Sequence, residues 1–251
     1  MGDSIRPDTL SIGILMTEIT ETPLTADCQL PSNSMQPALI IFDWDGTLMD
    51  SAARIVNCMT AAFVEQALSP PPPEQMRAQI GLGLEEAMLA LCPQERPEVI
   101  TRLMDGYRNR FLGDDPTPTP LFDRADEVVR ALHQQGRLIA VATGKSRRGL
   151  DRALAQSGLA PYFHATRCAD ETLSKPNPQM LFELLDELGI RADAALMIGD
   201  TEFDLLMAKN AGMPSLAVSY GVHDADRLLA CEPLGLIHAI AELPAWLATR
   251  G

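Results

Sequence analysis

Three observations predict an α/β fold, a Rossmann-like parallel sheet covered by helices with a separate all-helical insert. Ala38 to Phe42 is an apolar run of strand length. From residue 121 onward, helical patterns alternate with short apolar segments, as a parallel sheet requires because each crossover must traverse the sheet. Between these two regions, residues 51–118 show only the three-to-four spacing of helices. The predicted division is an N-terminal extension at 1–36, a core domain from 37–50 and 119–251, and a helical cap domain at 51–118.

The extension carries no assigned task. Its apolar stretch Leu10 to Met16 is short and follows Asp3 and Asp8 rather than a basic region, and Asp27 spoils a lipoprotein-like cleavage site before Cys28. Arg6 stands where myristoylation needs Ser or Thr. Met35 is a plausible alternative start, because the ordered pattern begins three residues later. After Asp50, Ile55, Met59, Ala62, Phe63 and Gln66 mark one helical face, which stops at the proline run 70–73. Amphipathic stretches at 74–80, 84–91 and 97–112 follow, until Gly113 to Pro120 breaks the pattern. Helix 123–135, strand Leu138 to Thr143, helix 146–157, strand Ala195 to Ile198 and a strand at 215–219 complete the expectation.

A formal charge of −14 in 251 residues disfavours nucleic acid and anionic membrane as partners, since neither attracts an acidic surface. No apolar run approaches the ~18 residues of a spanning helix. The five scattered cysteines, Cys28, Cys58, Cys92, Cys168 and Cys231, form neither a zinc motif nor a disulfide framework, so they read as reduced thiols of a cytoplasmic protein.

The chemistry gathers at predicted strand and loop ends. Asp43-Trp44-Asp45-Gly46-Thr47 places two carboxylates one residue apart, so in an extended chain both face one site at the carboxyl end of the strand. Thr143-Gly144, Lys175-Pro176 and Gly199-Asp200-Thr201-Glu202-Phe203-Asp204 follow in order. The prolines around Lys175 hold an extended backbone that can aim its ammonium inward. Asp200 and Asp204 enter a helix, where Asp204 can also serve as a cap.

Together these segments resemble the four motifs of the haloacid dehalogenase (HAD) superfamily over about residues 38–240, and the helical insert resembles that family's cap domain. The resemblance implies a phosphomonoester hydrolase. Asp43 would attack phosphorus to form an aspartyl-phosphate, dividing one displacement into two. Asp45 would protonate the leaving alkoxide and then take a proton from the attacking water. Mg²⁺ is implied as cofactor, held by Asp43, Asp200 and the backbone carbonyl of Asp45, with Asp204 as a further candidate ligand. Thr143, Gly144 and Lys175 would bind the phosphate, Lys175 also balancing the carboxylates.

Asp45 separates this pattern from dehalogenases, which lack the second aspartate. The absence of lysine from 51–118 argues against a phosphonate hydrolase, which needs a cap lysine. A phosphosugar mutase of the beta-phosphoglucomutase type is the closest rival enzyme, and a non-catalytic binding module on the same fold is the rival from another class. The segment Ile80-Gly81-Leu82-Gly83-Leu84-Glu85-Glu86 resembles the cap loop of phosphoglycolate-phosphatase-like members, which favours a hydrolase of a small phosphorylated metabolite such as phosphoglycolate. The cap is expected to hinge near Asp50-Ser51 and Gly113 to Pro120. Of its arginines, Arg54, Arg77, Arg102 and Arg108 are each expected on the surface.

Overall fold

The computed structural model describes Met1, residues 36–113 and residues 115–250. The extension, the alternative start at Met35 and Cys28 therefore lie outside the described residues. Gln36 already belongs to the folded body, its side-chain amide donating to the Leu247 carbonyl at 3.3 Å.

Strands β1 (Leu39–Phe42), β2 (Leu138–Thr143), β3 (Ala165–Cys168), β4 (Ala195–Gly199), β5 (Ser215–Val218) and β6 (Leu236–Ile237) form one sheet of order β3-β2-β1-β4-β5-β6, parallel throughout. β1 is wholly buried at the centre, and its alternation divides the core in two. Ile40 and Phe42 pack with Val129 and Leu132 of α5 (Ala125–Gln134) and Leu150 of α6 (Arg147–Ser157). Leu39 and Ile41 pack on the other face with Leu181 and Leu184 of α7 (Gln179–Leu188) and Met207 of α8 (Glu202–Asn210). Each such side chain contributes roughly 1.5–3 kcal/mol by leaving water, which is why β1 can be apolar on both faces.

The chain runs outward from β1 through β2 to β3, then returns to β4 on the other side of β1. That reversal opens a crevice at the carboxyl ends of β1 and β4. Phe42 is in register with Ile198, so Asp43 and Asp200 leave their strands side by side.

The helical insert between β1 and β2 consists of α1 (Ala52–Glu65), α2 (Pro73–Arg77), α3 (Leu84–Leu91) and α4 (Pro97–Phe111), close to the predicted stretches. Proline opens both α2 and α4, where its missing N–H costs nothing. These helices bury a cluster of their own around Met59, Phe63, Met76, Met88 and Leu103. The two crossings into the insert run together: the Asp50 amide donates to the Pro120 carbonyl at 2.8 Å and the Phe122 amide to the Leu48 carbonyl at 3.0 Å.

Two strands escape the sequence pattern. β3 reads Ala-Thr-Arg-Cys with its central pair only half-buried, and β6 has two residues, so neither shows the continuous apolar run of a central strand. Leu103→Ala removes a fully buried side chain from the insert's own cluster, and urea denaturation is expected to show a loss of about 2–5 kcal/mol.

Candidate active site

Asp43 sits one residue beyond β1 and Asp45 two further on. Both line a single cavity of about 180 Å³ between the sheet and the insert, while Trp44 between them is buried against the core. The alternation expected from an extended backbone thus continues past the strand. Gly46 then turns with φ +90°, and a Cβ there would stand 2.1 Å from Asp200 Oδ2, so only glycine lets the first loop approach the second aspartate.

Asp200 is held from two sides. Thr47 Oγ1 donates to its Oδ1 at 2.8 Å, and the Val222 amide donates to its Oδ2 at 2.8 Å. Lys175, buried with almost no exposure, donates to Asp43 Oδ1 at 2.7 Å and to Asp204 Oδ1 at 2.6 Å. The other oxygen of Asp204 accepts from the Thr201 amide at 3.1 Å and from Thr201 Oγ1 at 2.7 Å, which completes a capping box at the start of α8. Asp204 is therefore both a cap and the anchor of Lys175.

One carboxylate oxygen of each of Asp43, Asp200 and Asp204 lies within 4.8 Å of the others. Asp43 Oδ2 is buried without a hydrogen-bond partner among the described residues. Burial pushes the Asp43 carboxyl up to about 7; Lys175 opposes the rise, and the charges of Asp204 and Asp45 add to it. Burial, then the charges of Asp43 and Asp204, hold Asp200 well above the usual carboxylate range. Lys175 is raised despite burial, because Asp204 and Asp43 face it. A crowded all-oxygen set with an unsatisfied buried oxygen fits a hard divalent cation, which would relieve the repulsion that raises both carboxyls.

Thr143 ends β2, fully buried, its Oγ1 accepting from the Lys145 amide at 3.2 Å. Gly144 is where the insert touches the core: a Cβ there would stand 2.4 Å from the Leu82 carbonyl and 2.6 Å from that of Gly81. The glycine-punctuated loop at 80–83 thus closes directly over the strand ends.

Sequence reasoning missed Lys145. Its ammonium donates to both oxygens of Asp45, at 2.7 and 2.8 Å, and lies 4.5 Å from the centre of the Phe111 ring of the insert. Ser51 Oγ also donates to Asp45, at 2.5 Å. The available signal was proximity: a lysine directly after a motif glycine at a strand end is within reach of the same crevice.

Of the four arginines expected on the surface, Arg77, Arg102 and Arg108 are exposed, Arg108 at the rim of the cavity and paired with Asp105 at 3.3 Å, whereas Arg54 is half-buried. All but Arg108 make structural contacts. Arg54 donates to the Phe111 and Thr117 carbonyls, Arg77 to the Gly221 carbonyl and Arg102 to Gln66.

A family model for haloacid dehalogenase-like hydrolases matches residues 40–218. The chain belongs to this family. Within it, the chain is 35% identical over 215 residues to the probable phosphatase IndB of Dickeya dadantii, covering 83% of this chain and 92% of that protein. It is 29% identical over 219 residues to the phosphoglycolate phosphatase of Agrobacterium fabrum, covering 85% and 93%. A predicted phosphatase from Clostridium acetobutylicum superposes with a TM-score of 0.77 at 25% identity, over 85% of this chain and 99% of that one. As a HAD hydrolase the protein is an enzyme.

Because the folded state holds Asp43 protonated up to about pH 7, against 3.8 for an unperturbed carboxyl, this group's stabilising contribution is full below pH 3.8 and is lost as pH rises through 7. Thermal unfolding in EDTA is expected to show the Tm of the native protein falling relative to that of Asp43→Asn as pH rises across that interval.

Proposed function

We propose that the protein is a Mg²⁺-dependent phosphomonoester hydrolase of a small phosphorylated metabolite, working in the cytoplasm through an aspartyl-phosphate on Asp43. The observation that carries this reading is Asp43 itself, with one oxygen anchored by Lys175, the other buried and unpartnered, and a second aspartate in the same cavity. Phosphoglycolate, the substrate named for relatives such as that of Agrobacterium fabrum, is the reference compound. The four cysteines among the described residues are free and buried, in keeping with a reducing compartment.

Asp43 attacks phosphorus in line with the departing oxygen, and Asp45 gives that oxygen a proton. Asp45 then accepts a proton from the water that cleaves the acyl phosphate, regenerating Asp43. Lys145 and Ser51 fix where the Asp45 carboxylate points. Thr143 and the backbone at Gly144 offer donors to the transferring oxygens, and Lys175 holds positive charge against them. Asp43, Asp200 and the Asp45 carbonyl would hold Mg²⁺, with Asp204 bordering the site while its own oxygens hold Lys175 and Thr201. The bound cation would neutralise the carboxylates and the phosphate oxygens together. The insert and core form the cap and catalytic domains, and closure over the 80–83 loop keeps bulk water from the acyl phosphate.

Phosphate release by the pure protein is expected from p-nitrophenyl phosphate with Mg²⁺ and not with EDTA, with phosphoglycolate as the reference ester for comparing rates. Asp43→Asn should reduce it to background while circular dichroism is unchanged, and Asp45→Asn should lower kcat by about 10²–10⁴-fold. Conversion of a sugar phosphate to its isomer without free phosphate would overturn this reading in favour of a mutase. No metal-dependent turnover of any phosphomonoester would favour a binding module.

A further inference from the structure

The cavity extends from the carboxylates toward the insert, and its walls change character along the way. Beyond Asp43 and Asp45, the insert side is formed by Met59, Leu82, Leu84, Met104, Tyr107 and Phe111. Its charged groups are mostly acidic: Glu85 and Glu86 at the start of α3, with Asp170 from the core opposite. The cations are already engaged. Lys145 is doubly bonded to Asp45, Lys175 is shared by Asp43 and Asp204, and Arg108 pairs with Asp105 at the half-exposed rim.

Building on the phosphomonoesterase reading, we infer that the leaving group this pocket takes is a neutral, apolar alcohol, of about the size of a single ring, and not a carboxylate such as glycolate. A second anion would pass Glu85, Glu86 and Asp170, all three exposed at the mouth, and deeper in would find no free buried cation among the described residues. A hydrocarbon group would instead leave water for the methionine, leucine and aromatic side chains, and orientation would come from shape. The cavity of about 180 Å³ must also hold the phosphoryl group, which limits the alcohol to at most a single ring, since an apolar cavity of about 150 Å³ accepts benzene. Tyr107 adds a hydroxyl beside the methionine, leucine and phenylalanine side chains, so a ring bearing one polar substituent is also accommodated.

Benzyl phosphate and phosphoglycolate both release a primary alkoxide, so their comparison isolates the pocket from the chemistry. With Mg²⁺, kcat/KM for benzyl phosphate is expected to exceed that for phosphoglycolate by about tenfold or more, the scale on which a hydrophobic pocket discriminates. Leu84→Arg, at a half-buried position, places a cation in the wall and should reverse that order, with circular dichroism confirming that the variant is folded. Turnover of p-nitrophenyl phosphate tests the hydrolase reading separately. If it is turned over and phosphoglycolate equals or outruns benzyl phosphate, the assignment of the pocket is overturned while the hydrolase stands. If no ester is turned over, calorimetry with benzylphosphonate and phosphonoacetate decides the pocket alone: tighter binding of benzylphosphonate supports the inference, and tighter binding of phosphonoacetate overturns it.

Discussion

The buried ammonium of Lys175 is what permits the rest of the site to exist. Three carboxylates crowd the carboxyl ends of β1 and β4, all but inaccessible to water, and taking each ion out of water costs several kcal/mol. One lysine bonded to two of them at 2.7 and 2.6 Å offsets part of that cost and sets where both carboxylates point. The compensation is incomplete by design of the geometry: Asp43 keeps one oxygen unpartnered, and Asp43 and Asp200 keep raised proton affinities. A site left short of positive charge in this way fits a hard divalent cation.

Close backbone approach is the second constraint. A Cβ at Gly46 or at Gly221 would meet the Asp200 carboxylate at 2.1 or 2.3 Å, so the loops after β1 and β5 both press against it. The second of these loops also reaches the insert. Arg77 of α2 donates to the Gly221 carbonyl at 2.8 Å, and His223 bridges core and insert, its Nδ1 accepting from the Glu202 amide and its Nε2 facing the Ala78 carbonyl at 3.2 Å. Since Nδ1 accepts, Nε2 carries the proton and donates; burial also lowers the proton affinity of this imidazole, so the neutral form is held. On the opposite side, Ser174 Oγ accepts from the Gly83 amide at 2.8 Å, one residue before the lysine that anchors Asp43. The insert thus rests on the same loops that hold Asp200 and Lys175.

Much of this arrangement was legible in particular residues. The apolar run ending in Asp43 is a central strand because it can be buried on both faces, and the insert's helices were readable from Ile55, Met59 and Phe63 because their spacing survives without tertiary help. β3 and β6 were not readable: at an edge, pairing with one neighbour suffices, so β3 need not be apolar throughout and β6 need not be longer than two residues. Asp204 had two local readings, cap and ligand, and the structure shows the cap made while its second oxygen engages Lys175, 29 positions earlier. Lys145 carried no local signal of its partner, since Asp45 lies 100 positions away.

The order and spacing of Asp43, Asp45, Thr143, Lys175 and Asp200 determined the family and the candidate catalytic groups, because alternation along an extended strand and the ends of successive parallel strands are local consequences of covalent geometry. The tertiary structure decided how charge is shared among those groups and what faces them across the cavity. Pairings such as Lys145 with Asp45, the orphaned oxygen of Asp43 and the apolar wall with its two glutamates depend on distances between segments far apart in the chain. Those distances are set only when the sheet closes its order and the insert folds back over it.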